Sequence, residues 1–150
     1  MSKTIEQELD AGVRDAPPDL MWAAVIGDGF KRPDLPWQPW VENGRDGVEM
    51  CPLFVSSDPN GSAALLLRFK PGAHGDFHKH GGAELMLVLD GVLEDDMGGY
   101  YPAGSLVVEG EGTIHQALSR QGCTLLAVRE HPAQPFEDQP GDANVRKPAS

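Results

Sequence analysis

The chain has 150 residues, 40% hydrophobic and 23% charged, with 18 glycines and 13 prolines. This suits one soluble globular domain, and the glycine and proline content favours many turns and a β-rich fold over a helix bundle. A formal net charge of −11 repels phosphate backbones and anionic headgroups, so nucleic acid and membrane surfaces are excluded as partners.

No apolar run is long enough to span a bilayer. The start, "MSKTIEQELDAGVRD", lacks the apolar centre of a signal peptide, so a cytoplasmic location is expected. The two cysteines, Cys51 and Cys123, lie in apolar segments and are expected to be reduced and buried.

In chain order, residues 1–17 read as a polar arm, and "PDLMWAAVIGDG" as one or two helical turns stopped by glycine. "RPDLPWQPWVENG" has too many prolines for a helix and reads as an extended segment laid on the body of the protein. From residue 47 onward strands and turns alternate: "VEMCPLFVS", "SAALLLRFK" ended by "PGAHG", then "AELMLVL" and "VLED" joined by an Asp90-Gly91 hairpin turn. "SLVVE", "TIHQALS" and "CTLLAVRE" follow, separated by glycine turns. Short strands at this spacing predict an all-β sandwich or barrel. The expected division is an N-terminal arm over 1–46, a β-barrel over 47–131 and a loose polar tail over 132–150.

The chemistry concentrates in "PGAHGDFHKHGGAELMLVLDG", residues 71–91. His78 and His80 are two apart, so on a strand both imidazoles point the same way. Glu84 lies at an even offset and can share that face, with Met86 and Val88 beyond it. Two imidazoles and a carboxylate form the facial set that suits Fe(II), and also Mn, Ni, Co or Zn. A fourth ligand must come from elsewhere. His115 is the best choice, because it opens a late strand after a glycine turn. His131 borders the tail and is weaker, and His74 is a second-layer or solvated residue. The competing reading is a histidine-rich surface loop with Glu84 as a strand-end charge. The agreement of several features and a surrounding glycine frame weigh against it.

These residues resemble a known family. Gly72, His78, His80, Glu84 and Gly91, with five, one, three and six residues between them, look like the first motif of the cupin superfamily. Gly104, Gly110, Gly112, His115 and Ser119, with gaps of five, one, two and three, resemble the second. Gly110 and Ser119 depart from the usual proline and asparagine, and neither is a ligand position. The stretch from "LLRFKPG" to "LLAVRE" is similar to the ChrR-like cupins, a group that includes the cupin half of ChrR-type anti-sigma factors and the acetylacetone-cleaving and dihydroxyacetophenone dioxygenases.

The resemblance implies an RmlC-like jelly roll (double-stranded β-helix) in one small barrel, with metal held by His78, His80, Glu84 and His115. The acetylacetone-cleaving enzymes use three histidines and no carboxylate at the Glu84 position, so Glu84 sets this chain closer to the four-ligand, zinc-holding anti-sigma type. Three functions follow. The first is a non-haem metal dioxygenase cleaving a small diketone-like or phenolic substrate, with Fe(II) favoured. The second is a metal-binding small-molecule sensor, holding for example Zn. The third is a non-oxidative isomerase or lyase; Zn, Ni or Mn are the other metals expected at the site. A sigma-binding role is disfavoured, because residues 1–46 contain neither cysteine nor histidine. Met86, Val88, Leu66, Leu106 and Val108 are expected to line the substrate pocket. A homodimer is expected, since pairing removes an exposed sheet edge.

Overall fold

The computed structural model describes residues 31, 35–40 and 46–136. The chain divides into two compact units, Met1–Pro36 and Trp37–Ser150. The first is described only at Lys31, Leu35 and Pro36. The expected polar arm and helical turns, and the tail after Phe136, lie outside the described residues.

The second unit is built of strands, and among its described residues there is no helix. In chain order they are β1 (Gln38–Pro39), β2 (Asp46–Val55), β3 (Ala63–His74), β4 (His78–Lys79), β5 (Glu84–Asp95), β6 (Tyr100–Pro102), β7 (Leu106–Glu109), β8 (Ile114–His115), β9 (Ala117–Ser119), β10 (Cys123–Arg129) and β11 (Gln134–Pro135). The large sheet runs β1-β2-β3-β10-β5-β6, with β7 on β5; a small sheet runs β11-β4-β8. The first halves of β3 and β5 pair with β10, and their far ends pair with β9, where Leu118 faces both His74 and Glu94. That circuit closes the sheet into a barrel. Alternation fills it: Leu65, Leu67 and Phe69 from β3, Met86 and Val88 from β5, and Leu125 and Ala127 from β10 belong to one buried cluster.

Two expected turns differ in the structure. Asp90-Gly91 is not a hairpin, because β5 runs through it to Asp95. The register against β10 jumps from Asp90 to Val88 between Thr124 and Leu125, so Leu89 is an extra residue. This bulge moves the inward positions of β5 from Met86 and Val88 to Leu93. Gly91 sits at φ +72°, and a Cβ there would collide with the Gly122 carbonyl oxygen. The glycine therefore permits two backbones to touch, a different use from a two-residue turn. β5 reverses only after Asp95, whose carboxylate accepts the Met97 and Gly99 N–H groups at 2.9 and 2.8 Å.

Likewise β3 does not stop at Pro71-Gly72 but continues to His74. At the far end, Gln134 and Pro135 are not part of a loose tail. They form β11 and pair with Lys79 and His78. At the other boundary, Gln38 and Pro39 pair with Met50 and Glu49, and Trp40 enters the core. Both cysteines are free and buried. Burial pushes the Cys51 thiol up. Burial also pushes Cys123 up to about 11, Asp90 adding to the effect against hydrogen bonds from Ser119 and Phe69.

Candidate metal centre

Pairing of β4 with β8 sets His78 directly across from His115. His80 continues that ladder beyond the strand: its N–H donates to Thr113 O at 2.9 Å, and its carbonyl accepts the Gly112 N–H at 2.8 Å. Two residues of separation keep His80 on the His78 face. All three side chains are buried, at 5%, 2% and 4% exposure for His78, His80 and His115. Ring centroids stand 4.5–5.0 Å apart.

The ring nitrogens divide into two sets. His115 Nε2 lies 2.9 Å from both His80 Nε2 and His78 Nε2. Each Nδ1 faces an oxygen instead. His78 Nδ1 is 3.1 Å from Asp76 O, His80 Nδ1 is 2.9 Å from Glu84 Oε2, and His115 Nδ1 is 3.4 Å from Glu109 Oε1. Oxygen acceptors favour the proton on Nδ1 of His78 and His80, and the Nε2 atoms of all three rings are directed at one another. Lone pairs at 2.9 Å repel unless a cation lies between them. For metal–nitrogen bonds of about 2.0–2.1 Å, ligands at right angles stand about 2.9 Å apart and tetrahedral ones about 3.3 Å. The donor set therefore fits a divalent ion bound on one face of three histidines. His78, His80 and His115 are a possible metal-holding group, with ligand atoms within 4.8 Å of one another.

Glu84 opens β5, and its side chain is not in that group. Its carboxylate is on the far nitrogen of His80, where a carboxylate orients a ligating imidazole and raises its basicity. The strand register extends this arrangement. Glu84 pairs with Glu109 on β7 and with Arg129 on β10, so three charged residues form one row across the barrel wall. Asp95, Glu109 and His115 form a second cluster within the same 4.8 Å limit. Burial pushes the Asp95 carboxyl up. The Gly99 N–H, the Tyr101 hydroxyl at 2.8 Å, the Met97 N–H and the field of His115 outweigh it and hold that carboxyl below its usual value.

The other histidines are elsewhere. His131 is exposed, with Nδ1 2.6 Å from Asn60 O. His74 is exposed at the end of β3, beside Gly75 O and Gln116.

A cavity of about 30 Å³ adjoins the histidines; His78, Glu84, His115, Met86, Trp40 and Arg129 are among its walls. Of the expected pocket residues, Met86 lines it and Val88 packs in the adjoining core. Leu66 is buried beside its cross-strand partner Cys51, off the face that Leu65 and Leu67 give to the core. Leu106 and Val108 must be corrected: both are 62% exposed. The register sets Val107 opposite inward Met86, so its neighbours in β7 point out. Sequence reasoning passed over Glu109 and Arg129. Parity was the usable signal, since Glu109 shares a face with Val107, and Arg129 with Leu125 and Ala127.

No curated protein matches this chain significantly, whereas many solved structures do. One is from the Rhodobacter sphaeroides complex of SigE with the anti-sigma ChrR, at 25% identity and TM-score 0.54, covering 65% of this chain and 49% of that one. This chain thus spans about half the length of that relative. An acetylacetone dioxygenase from Acinetobacter johnsonii matches at 20% identity and TM-score 0.63, over 70% of this chain and 74% of its own. The polyketide cyclase RemF from Streptomyces resistomycificus matches at 16% identity and TM-score 0.61, over 71% and 82%. The last two likenesses speak to the fold alone. The family model of the ChrR cupin-like domain matches residues 30–133, and with the barrel and the buried histidines in place the chain belongs to that family.

Proposed function

We propose that this chain is a non-haem metal dioxygenase acting on a small diketone-like or phenolic substrate, with Fe(II) held by His78, His80 and His115. The observation that carries the reading is the convergence of three buried Nε2 atoms beside a partly apolar cavity. When bound, the ion supplies Lewis acidity and redox chemistry toward a chelating substrate and O₂. Three neutral imidazoles leave it its full charge and leave one side of it for other ligands. Glu84 holds His80 in the required tautomer, and the Glu109 carboxylate lies 3.4 Å from His115 Nδ1. Met86, Leu67, Phe69 and Leu125 make the adjoining wall apolar, which limits water around reactive species. The structural likeness to an acetylacetone dioxygenase supports the barrel's suitability for this chemistry.

Anaerobic loading with Fe(II), followed by oxygen uptake on acetylacetone and a phenolic panel, tests this. Substrate-dependent uptake is expected, and metal analysis should give one ion per chain. Tightly held zinc, no iron incorporation and no uptake on any compound would sink the dioxygenase. That outcome would favour a metal-binding regulatory cupin, a reading supported by the 25% identity to a complex that contains the anti-sigma ChrR.

A further inference from the structure

We infer that Arg129 is a carboxylate-recognition residue, so that the ligand of this centre is a small oxo acid. Such a molecule presents its keto oxygen to the metal and its carboxylate to the guanidinium. The inference rests on the metal reading above and narrows its substrate class.

Arg129 ends β10 on the inward face of Leu125 and Ala127. It lines the same cavity as His78, Glu84 and His115, and no other lysine or arginine lines that cavity among the described residues. Its Nε is buried and has no hydrogen-bond partner among the described residues. A buried N–H without an acceptor is destabilising, and a ligand oxygen removes that penalty.

The nearby carboxylates do not fill the role. Glu84 is the cross-strand partner of Arg129, yet its carboxylate is given to His80 at 2.9 Å. Glu130, next in the chain, turns its carboxylate to the Ala83 N–H at 3.1 Å. No ion pair joins Arg129 to either among the described residues. The Trp40 ring, 5.9 Å from the guanidinium carbon, offers it a π face but no acceptor oxygen. A carboxylate is the planar partner that matches the guanidinium fork in two parallel hydrogen bonds.

The test uses the full chain loaded with Co(II), with pyruvate, its neutral methyl ester and acetylacetone as probes. Calorimetry gives the affinities, and the Co(II) absorption bands report the metal. Wild type is expected to bind pyruvate at least about tenfold more tightly than methyl pyruvate. Arg129→Gln is expected to lose about tenfold or more for pyruvate, at unchanged Co(II) content and with acetylacetone affinity within about twofold. Arg129→Lys should recover part of the loss, since it restores the charge without the fork. Equal pyruvate affinity in wild type and Arg129→Gln, both holding Co(II), overturns the role of Arg129. Equal binding of ester and acid by wild type does the same without a variant. Failure of wild type to hold Co(II) overturns the metal centre itself, a different and separately visible result.

Discussion

Glu84 separates two ideas of this centre, and replacing it with glutamine tests them. The sequence motif assigns it to the metal, whereas the structure sets its carboxylate 2.9 Å from His80 Nδ1. As an orienting group, Glu84→Gln should cost about 10–100-fold in metal affinity, which is about 1.4–2.8 kcal/mol. The lower end is expected, because the amide oxygen can still accept from Nδ1–H and only the charge is lost. A direct ligand is worth more: about 10–16 kcal/mol shared among four zinc ligands is about 2.5–4 kcal/mol each. His80→Ala gives that yardstick within the same protein. The assay is chelator competition for Zn(II), with Co(II) spectra reporting the ligand set. Glu84→Gln should bind at least about tenfold more tightly than His80→Ala, with Co(II) bands unchanged from wild type. His131→Ala, whose ring is tied to Asn60 O, should match wild type. A Glu84→Gln loss equal to that of His80→Ala, with altered Co(II) bands, would refute the orienting role and restore Glu84 as a ligand.

Two further outcomes concern stability. Gly91→Ala forces a side chain into φ +72° and against the Gly122 carbonyl, so urea unfolding should show a loss above about 3 kcal/mol; a loss under about 1 kcal/mol would mean that β5 relaxes around the bulge at little cost. Cys123 keeps its proton in the folded state up to about 11, against an ordinary value of 9.0, while the unfolded chain releases it earlier. Its contribution is therefore intact below pH 9 and lost as pH rises toward 11, by roughly 2–3 kcal/mol. Denaturant titrations across that range should show the decline, and Cys123→Ala should have a shallower slope whatever its packing cost.

The barrel and the three histidines were legible in the sequence because both depend on local rules. Alternation fixes which strand residues face inward, and the spacing of His78 and His80 keeps them on one face wherever the strand lies. The choice of His115 over His131 also needed only a glycine turn before a strand. What tertiary structure decided was anything carried by a bulge, a crossing or a register. Asp90-Gly91 has the composition of a hairpin, but the approach of Gly122 makes it a mid-strand bend. Leu106 and Val108 look like pocket residues until β7 pairs with β5 one residue out of phase with that reading. Glu84 carries two oxygens that could reach a metal or an imidazole. The path of the chain from β4 to β5 brings its carboxylate to His80 Nδ1. Arg129 became visible last, because a lone arginine at a strand end gains meaning only when its neighbours' carboxylates are already engaged elsewhere.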